Sequence, residues 1–292
     1  LSYRIAPDIR AYATYARTFK TGGINLSGVP NDAAGNPLLA AGSVKPEKVD
    51  HFEVGLKTQF WDRRATLNLA GFWTEIRDYQ ATVNNGQLGV LRGYLANAGK
   101  VRVRGIEADF SVRPSERFNA YVSGAYTDHE YVRFVDAPCP PELAGGTTVT
   151  GTQVPGAPGV PGALSPANCD ISGQGLPGIS NWAFSYGFEY NEPVSISGLD
   201  GFAYAGFDGN YRSKFSSNPS RSIYTDINGY ALSNLRLGYR TDDGLNLFAW
   251  VRNAFDVDYF EQLAANTGGN TGLIAGQPGD PRTFGLTFAS SF

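Results

Sequence analysis

Strict alternation of aromatic with small or polar residues is the sequence feature that most restricts what this chain can fold into. Between Trp182 and Tyr190 every second residue is aromatic, and the intervening residues are small or polar. Because successive side chains of a β-strand point to opposite faces, this pattern places all of the aromatic rings on one face. The closing stretch, residues 281–292, alternates in a similar way. Five aromatic side chains on one strand face are more than one strand usually contributes to the core of a soluble protein. The same face is well suited to contact with lipid.

The connections between the predicted strands alternate between short and long. The short connections are residues 6–8, 61–64, 114–116, 192–200 and 241–244, and the long ones are residues 20–46, 84–93, 135–180, 214–226 and 260–279. Outer-membrane barrels have short turns in the periplasm and long loops outside, whereas a soluble β-sandwich, which the closing strand alone would also fit, has no reason to alternate. The sequence therefore predicts an all-β fold, an antiparallel transmembrane β-barrel with extracellular long loops and a periplasmic C-terminus.

The composition is compatible with this fold and argues against several others. Only 17% of the 292 residues are charged, 13% are aromatic, and the formal net charge is −3. No stretch approaches the roughly 18 consecutive apolar residues of a membrane-spanning helix, and the slightly acidic balance gives no argument for nucleic acid as a partner. Residues 47–60 alternate between apolar side chains and polar ones such as His51, Glu53 and Lys57. Because these polar groups cannot all be buried unpaired, we expect them to line a wet lumen.

The strand predicted over residues 101–112 changes phase. Its apolar residues occupy odd positions up to Val103 and even positions from Ile106 onwards. One extra residue in a strand shifts its faces in this way, so we expect a β-bulge at Arg104 and Gly105.

The longest connection, residues 135–180, is rich in Pro, Gly, Ala and Thr and contains both cysteines, Cys139 and Cys169. A structureless stretch of this length is usually functional, and we interpret it as an extracellular loop. An isolated cysteine pair in such a loop predicts a disulfide bond and an oxidising compartment, with two free thiols as the alternative. In the chain-entropy model, closing a loop of about thirty residues contributes roughly 3–4 kcal/mol.

The chain carries no recognisable catalytic pattern. Its two histidines, His51 and His129, lack the spacing of a zinc site. No nucleophile elbow, phosphate-binding loop or dinucleotide fingerprint occurs. We therefore expect no catalytic residue, no metal, no cofactor and no enzymatic function. The alternative, a phospholipase-like membrane enzyme, would need an exposed Ser or Asp beside one of the histidines.

Several stretches resemble the barrel of TonB-dependent receptors. Residues 45–57 resemble a recurrent strand of that barrel, as do residues 97–99 followed by residues 104–107. Residues 251–260 resemble the family segment Asn-Leu-Phe-Asp-x-x-Tyr that precedes the last strand, with Ala254 where Leu is usual. Together these stretches span most of the chain.

This resemblance implies a barrel of about 22 strands around an N-terminal plug domain. The sequence predicts roughly ten or eleven strands, and we find neither a plug nor the short box that contacts TonB. Residues 1–292 are therefore expected to be the C-terminal half of such a barrel, with two open sheet edges. Because the chain begins with Leu1 and shows no signal peptide, we expect it to be mature or truncated.

The resemblance also implies a function and partners. It implies a receptor in the outer membrane of a Gram-negative bacterium that takes up a scarce ligand, such as an iron-siderophore, cobalamin, haem or a glycan. The implied partners are outer-membrane lipid, the TonB complex acting through a plug, and the barrel-assembly machinery, whose signal Phe288 and Phe292 resemble. The alternative is a passive porin or an adhesin, and the fragment alone is not expected to transport.

Four residues near the fourth long connection are candidates for ligand binding. They are Tyr211, Arg212, Lys214 and Arg221. Cationic and aromatic side chains at a loop entrance can hold an anionic siderophore through charge-assisted hydrogen bonds. The alternative is a membrane-interface aromatic residue beside solvated cations.

Overall fold

The computed structural model describes residues 1–25, 29, 36–37, 39–84, 93–135, 137, 169–217, 222–265 and 274–290. Within these ranges, no helix has both the length and the apolar composition needed to cross a membrane. The strands are β1 Ser2–Ala6, β2 Ile9–Lys20, β3 Gly23–Ile24, β4 Ser43–Val44, β5 Glu47–Phe60, β6 Ala65–Arg77, β7 Gln80–Asn84, β8 Gly93–Asn97, β9 Lys100–Ser115, β10 Phe118–Arg133, β11 Trp182–Ile196, β12 Leu199–Arg212, β13 Phe215–Ser216, β14 Asp226–Ile227, β15 Tyr230–Thr241, β16 Leu245–Arg252, β17 Phe260–Ala265, β18 Ile274–Pro278 and β19 Thr283–Ser290.

One antiparallel sheet, which we call the wall, contains most of these residues. It is 11-stranded and has the order β1-β2-β5-β6-β9-β10-β11-β12-β15-β16-β19. Each wall strand pairs with the wall strand that follows it in sequence, so the sheet is a continuous meander. The wall is not closed, because β1 and β19 are its two edges. The predicted all-β antiparallel fold with ten or eleven strands is confirmed.

The two ends of the wall differ in their connections. At one end, the short-turn end, the strands are joined by residues 7–8, 61–64, 116–117, 197–198 and 242–244. Ser197 and Gly198 have φ of 55° and 82°, which is the backbone that a two-residue type I′ hairpin requires. The opposite end, the long-loop end, carries the longer connections, which contain the small hairpins β3–β4, β7–β8, β13–β14 and β17–β18. The predicted alternation of connection lengths is therefore present.

One face of the wall, the apolar face, carries the aromatic and aliphatic residues. Side chains paired directly across neighbouring strands share a face. One such row runs from β11 to β19 through Phe188, Phe207, Leu235, Val251 and Phe284. In the closing strand Phe284 is 80% exposed, which is costly in water and suited to lipid.

The other face, the polar face, carries ion pairs. Arg236 contacts the carboxylates of Asp208 at 2.8 Å and Glu189 at 3.6 Å. Arg240 contacts the same Glu189 at 2.8 Å. Because each of these cations has a carboxylate partner, the polar face can line a water-filled lumen without isolated charges.

The wall has no bulge at Arg104 and Gly105, so that prediction was wrong. The pairing of β9 with β6 and with β10 continues without a register shift through both residues. Instead, the apolar residues of β9 change face. Ile106 lies on the apolar face, whereas Val101, which is fully buried, lies on the polar face near the long-loop end.

Residues from the longest connection explain this change of face. Residues 169–180 fold over the polar face at the long-loop end, and a compact apolar cluster forms beneath them. Its buried members are Ala98, Val101, Tyr131, Phe134, Ala137, Ile171 and Leu176. The Ile171 amide donates to the Phe134 carbonyl at 2.9 Å, and the Tyr131 amide donates to the Gln174 carbonyl at 2.9 Å. Apolar side chains on the polar face are therefore buried by a segment that is distant in sequence.

Candidate functional site

The long-loop end of the polar face is the part of the wall where chemically useful side chains converge. The segment 169–180 lies across this end and is fixed at both sides. On the β10 side, the Nδ1 atom of His129 accepts a hydrogen bond from the Leu176 amide at 2.8 Å. A Cβ atom at Gly175 would lie 2.9 Å from the His129 ring, so only glycine permits this close approach. His129 therefore positions the segment.

Arg212 fixes the other side of the same segment. Its Nη2 donates to the Gly178 carbonyl at 2.8 Å, and its Nε donates to the Ser180 hydroxyl at 3.1 Å. The guanidinium also lies 3.6 Å from the centroid of the Phe215 ring, a cation–π contact. This predicted ligand-binding residue thus holds the segment in place.

Tyr211 and Lys214, the other predicted ligand-binding residues that the structure describes, have partners of their own. Tyr211 points to the apolar face, as the next residue along a strand must, and its ring stacks 6.0 Å from the Phe184 ring. Lys214 is 61% exposed and its Nζ lies 2.8 Å from a carboxylate oxygen of Asp226. Arg221 lies outside the described residues.

Two tyrosines that the ligand prediction missed pack against each other at the same end. The ring centroids of Tyr230, at the start of β15, and Tyr259, before β17, are 4.5 Å apart. Burial raises the pKa of the Tyr259 phenol above its ordinary value. The hydroxyl therefore stays protonated and remains a potential hydrogen-bond donor at neutral pH. The available signal in the sequence was that each tyrosine lies beside a predicted long connection. Tyr230 follows residues 214–226, and Tyr259 precedes residues 260–279.

Tyr79 gives a second partly buried phenol, next to the segment 169–180. It follows β6, its ring packs against Tyr131 with centroids 6.1 Å apart, and burial raises its pKa. The long-loop end thus combines phenols that stay neutral with cations in ion pairs. Such a surface can hold an anionic, aromatic ligand through hydrogen bonds, stacking and charge.

His51, at which no metal site was expected, and Cys169, one of the two cysteines of the predicted disulfide, both lie in the described part of the chain. His51 contacts the Thr74 hydroxyl at 2.8 Å and a Glu53 carboxylate oxygen at 3.5 Å. The described ranges contain no group of three or more His, Cys, Asp or Glu side chains that could hold a metal ion. Cys169 forms an isolated backbone bridge with Ala137.

Two predicted positions cannot be placed. Cys139 and Phe292 both lie outside the described residues, so the disulfide stays a prediction. Phe288 lies on the apolar face and is 69% exposed.

The segment that begins at Asn253 joins the ends of three wall strands. The Asn253 amide donates to the side-chain oxygen of Asn234 in β15 at 3.2 Å. Its side chain also donates to the carbonyl oxygens of Val257 at 2.9 Å and Asp280 at 3.2 Å, and it accepts from the Val257 amide at 2.9 Å. Asn253 is 5% exposed and has φ of 48°, a left-handed backbone that Asn tolerates better than most residues. Through its backbone amide and its side chain, Asn253 therefore connects β15, the end of β16 and the approach to β19.

Known proteins are similar to this chain in sequence and in fold. The catecholate siderophore receptor Fiu of Escherichia coli K12 is 25% identical over 285 residues, which cover 98% of this chain and 31% of Fiu. The probable TonB-dependent receptor BfrD of Bordetella pertussis is 29% identical over 133 residues, which cover 46% of this chain and 16% of BfrD. This chain thus spans about a third of the length of Fiu.

Solved structures show the same fold. The ferric yersiniabactin uptake receptor FyuA of Yersinia pestis matches 98% of this chain and 35% of its own, with a TM-score of 0.67 at 17% identity. The siderophore receptor PiuA of Acinetobacter baumannii matches 98% of this chain and 34% of its own, with a TM-score of 0.64 at 17% identity. Residues 1–254 match the family described as TonB dependent receptor-like, beta-barrel. The chain belongs to the TonB-dependent receptor-like β-barrel family.

Proposed function

We propose that this chain is part of an outer-membrane receptor that takes up a scarce ligand, with an iron-siderophore as the first candidate. The observation that carries the proposal is the similarity to the siderophore receptor Fiu over 98% of this chain. Family membership favours a transport receptor over an enzyme. The name of Fiu specifies a catecholate siderophore, so a ferric catecholate is the ligand to test first.

The two faces of the wall support a membrane-spanning role. The apolar face contacts lipid, and the ion pairs of Arg236 and Arg240 on the polar face line the lumen. The long-loop end faces the outside and the short-turn end faces the periplasm, as in other barrels of this kind. Phe288 and Phe292 are read by the barrel-assembly machinery during insertion.

Uptake draws its energy from the TonB complex, which acts through a plug domain elsewhere in the protein. Ligand binds first at the long-loop end, where the Tyr230–Tyr259 pair and the ion-paired Lys214 lie. Lys214 can exchange its contact with Asp226 for a contact with an anionic ligand, because an exposed ion pair holds it only weakly.

Growth under iron limitation tests this proposal. The host strain without the gene, and the same strain with the complete gene restored, are grown on a panel of ferric siderophores that includes a catecholate. The proposal predicts that one siderophore supports growth only when both the gene and an intact TonB complex are present. Growth that needs the gene but not the TonB complex would indicate a passive porin, and growth unaffected by the gene would leave an adhesin.

A further inference from the structure

Near the long-loop end, the apolar face of the wall stops being apolar and becomes charged. The cross-strand row of Phe52 and Trp73 continues into Arg104 and Asp128. The next two rows toward this end consist mainly of ionisable residues on β2, β5, β6, β9 and β10. We name these residues the charged belt. Its basic members are Arg17, Lys48, Arg77, Lys100, Arg102 and Arg104, and its acidic members are Asp50, Glu75, Asp128 and Glu130. Basic groups outnumber acidic ones, so the belt is positive overall.

The best-buried acidic group of the belt lies beneath its basic partners. The Asp50 side chain is 10% exposed, whereas Arg17 and Arg77, which both pair with it, are 61% and 50% exposed. Arg104 Nη2 lies 2.7 Å from a carboxylate oxygen of Asp128, and Arg104 is again the more exposed partner. A guanidinium has several N–H donors, so contact with one carboxylate leaves others directed outward. At these three arginines an approaching anion therefore meets the guanidinium group first. Arg102 and its partner Glu130 are about equally exposed, at 27% and 28%.

Directly below the belt, the apolar face contains a groove of about 790 Å³. Gly71 lines the groove without contributing a side chain, and Arg104 and Asp128 line it where it meets the belt. The Arg104 guanidinium lies 5.3 Å from the centroid of the Trp73 ring, so belt and groove are in direct contact. The groove is otherwise lined mainly by aromatic and aliphatic side chains, namely Tyr15, Phe52, Val54, Trp73, Ile106 and Tyr126.

The order of these features fixes their depth in a membrane. A lipid-facing basic residue costs about 2–4 kcal/mol at the bilayer midplane and about 0–1 kcal/mol near the interface, and Trp and Tyr favour the interface. The belt therefore lies at the level of the lipid head groups, with the groove just inside the hydrocarbon. This step depends on the outer-membrane location proposed above.

We propose that the groove and the belt together bind a phosphorylated membrane lipid, with an acyl chain in the groove and the phosphate against Arg102 and Arg104. Guanidinium groups match phosphate geometry and form charge-assisted hydrogen bonds with it. Hydrocarbon gains little by leaving other lipid tails for the groove, so the phosphate supplies the affinity and the groove fixes the position by packing. Charge complementarity makes a phosphorylated lipid, and not a neutral one, the occupant.

The charge is tested first, on the complete protein that contains this chain, purified in detergent. Native mass spectrometry measures binding of phosphatidylglycerol, of diacylglycerol with the same acyl chains, and of inorganic phosphate. Arg102→Gln with Arg104→Gln is expected to weaken phosphatidylglycerol binding about tenfold, whereas Arg102→Lys with Arg104→Lys retains most of it. The matched control is Arg117→Gln, because Arg117 is also an exposed, ion-paired arginine but lies at the short-turn end, 2.9 Å from Glu192.

The groove is tested separately by filling it. A Cβ atom at Gly71 would meet only the Gly105 carbonyl oxygen, at 3.9 Å, so the Cβ of Gly71→Trp causes no backbone clash, and its ring is introduced where Gly71 lines the groove. This variant keeps every charge and is expected to weaken phosphatidylglycerol binding about tenfold. The matched control is Gly23→Trp, because a Cβ atom at Gly23 would meet no atom within 4 Å and Gly23 does not line the groove.

Defined outcomes overturn the inference. Equal binding of diacylglycerol would remove the role of phosphate, and equal binding of inorganic phosphate would remove the role of the groove. If Gly71→Trp changed the oligomeric state and left lipid binding intact, the groove would be a contact between copies. Each variant is also assayed for siderophore-dependent growth. Variants that lose phosphatidylglycerol binding but keep uptake support this inference and leave the proposed function standing. Normal uptake by a wild-type protein that binds no phosphatidylglycerol overturns this inference and leaves the proposed function standing.

Discussion

The side-chain amide of Asn253 and the backbone of Val257 form two hydrogen bonds with each other, each 2.9 Å long. The same side chain reaches the Asp280 carbonyl, and Asp256 nearby pairs with Arg282 at 3.2 Å. These contacts hold the chain as it leaves β16 against the chain as it enters β19. The segment that carries the family resemblance is therefore a structural clamp between the last two wall strands.

Removal of the Asn253 side chain should loosen this clamp. Asn253→Ala leaves the Val257 amide and carbonyl without their partners, and we expect a loss of about 2–3 kcal/mol in the free energy of unfolding. The measurement is urea unfolding of the complete barrel in lipid. Asn119→Ala is the control, because Asn119 is exposed and its loss should change stability by less than about 0.5 kcal/mol. Equal effects of the two variants would contradict the clamp.

Arg212 should control the stability of the segment 169–180 more than that of the wall. Arg212→Ala removes the bonds to Gly178 and Ser180, so we expect local opening of the segment and about tenfold faster proteolysis within it. Arg212→Lys should recover only part of the protection, because an ammonium cannot reproduce the fork geometry. Arg113→Ala, at an exposed position in β9, serves as control. Unchanged proteolysis of Arg212→Ala would mean that the segment is held by other contacts.

The segment should also respond to acid through Asp170. Hydrogen bonds from the Ser172 hydroxyl and amide lower the pKa of Asp170, and the Ser172 hydroxyl in turn accepts from the Phe134 amide at 3.0 Å. Because the folded pKa lies below the unfolded one, this stabilisation is complete above the unfolded pKa of about 3.9. The stabilisation is lost as the pH falls through the pKa of Asp170 in the folded protein, which is the lower of the two values.

Hydrogen exchange can detect this response. Amide exchange of Phe134 and Ser172 should accelerate as the pH is lowered through that window, relative to the intrinsic exchange rate. In Asp170→Asn the extra acceleration should be absent. A variant that kept the full pH response would assign it to another carboxylate.

The cysteines should be joined in the mature protein. The backbone bridge between Ala137 and Cys169 brings the two ends of the intervening loop together, which favours pairing of Cys139 with Cys169. Without reductant we expect no thiol labelling of the unfolded chain, and Cys139→Ser with Cys169→Ser should lower stability by about 2–4 kcal/mol. Two labelled thiols in the untreated protein would show that the cysteines are free.

The sequence predicted the wall well because its signals are local. The aromatic alternation from Trp182 to Tyr190 depends only on which side of a strand each residue occupies, and the structure places those residues on one face. The alternation of short and long connections likewise identified the two ends of the wall. Both signals follow from strand geometry and need no knowledge of distant contacts.

The features that the sequence did not show depend on contacts between residues distant in sequence. Val101 can lie on the polar face because it is buried in the same apolar cluster as Ile171 and Leu176. No local sequence pattern could distinguish this arrangement from a β-bulge. Arg212 and Tyr211 are adjacent in sequence and were grouped as one candidate site, yet they point to opposite faces. The role of Arg212 as an anchor depends on Gly178 and Ser180, whose fold over the wall is not apparent from the sequence.

Uptake of radiolabelled iron by whole cells tests the central claim most directly. Cells that carry or lack the complete gene are given the ferric siderophore that supports their growth, with and without an uncoupler of the inner-membrane proton gradient. We predict saturable uptake that requires the gene and stops when the gradient is dissipated. Gene-dependent uptake that continues with the uncoupler, or that does not saturate, would contradict an energised receptor.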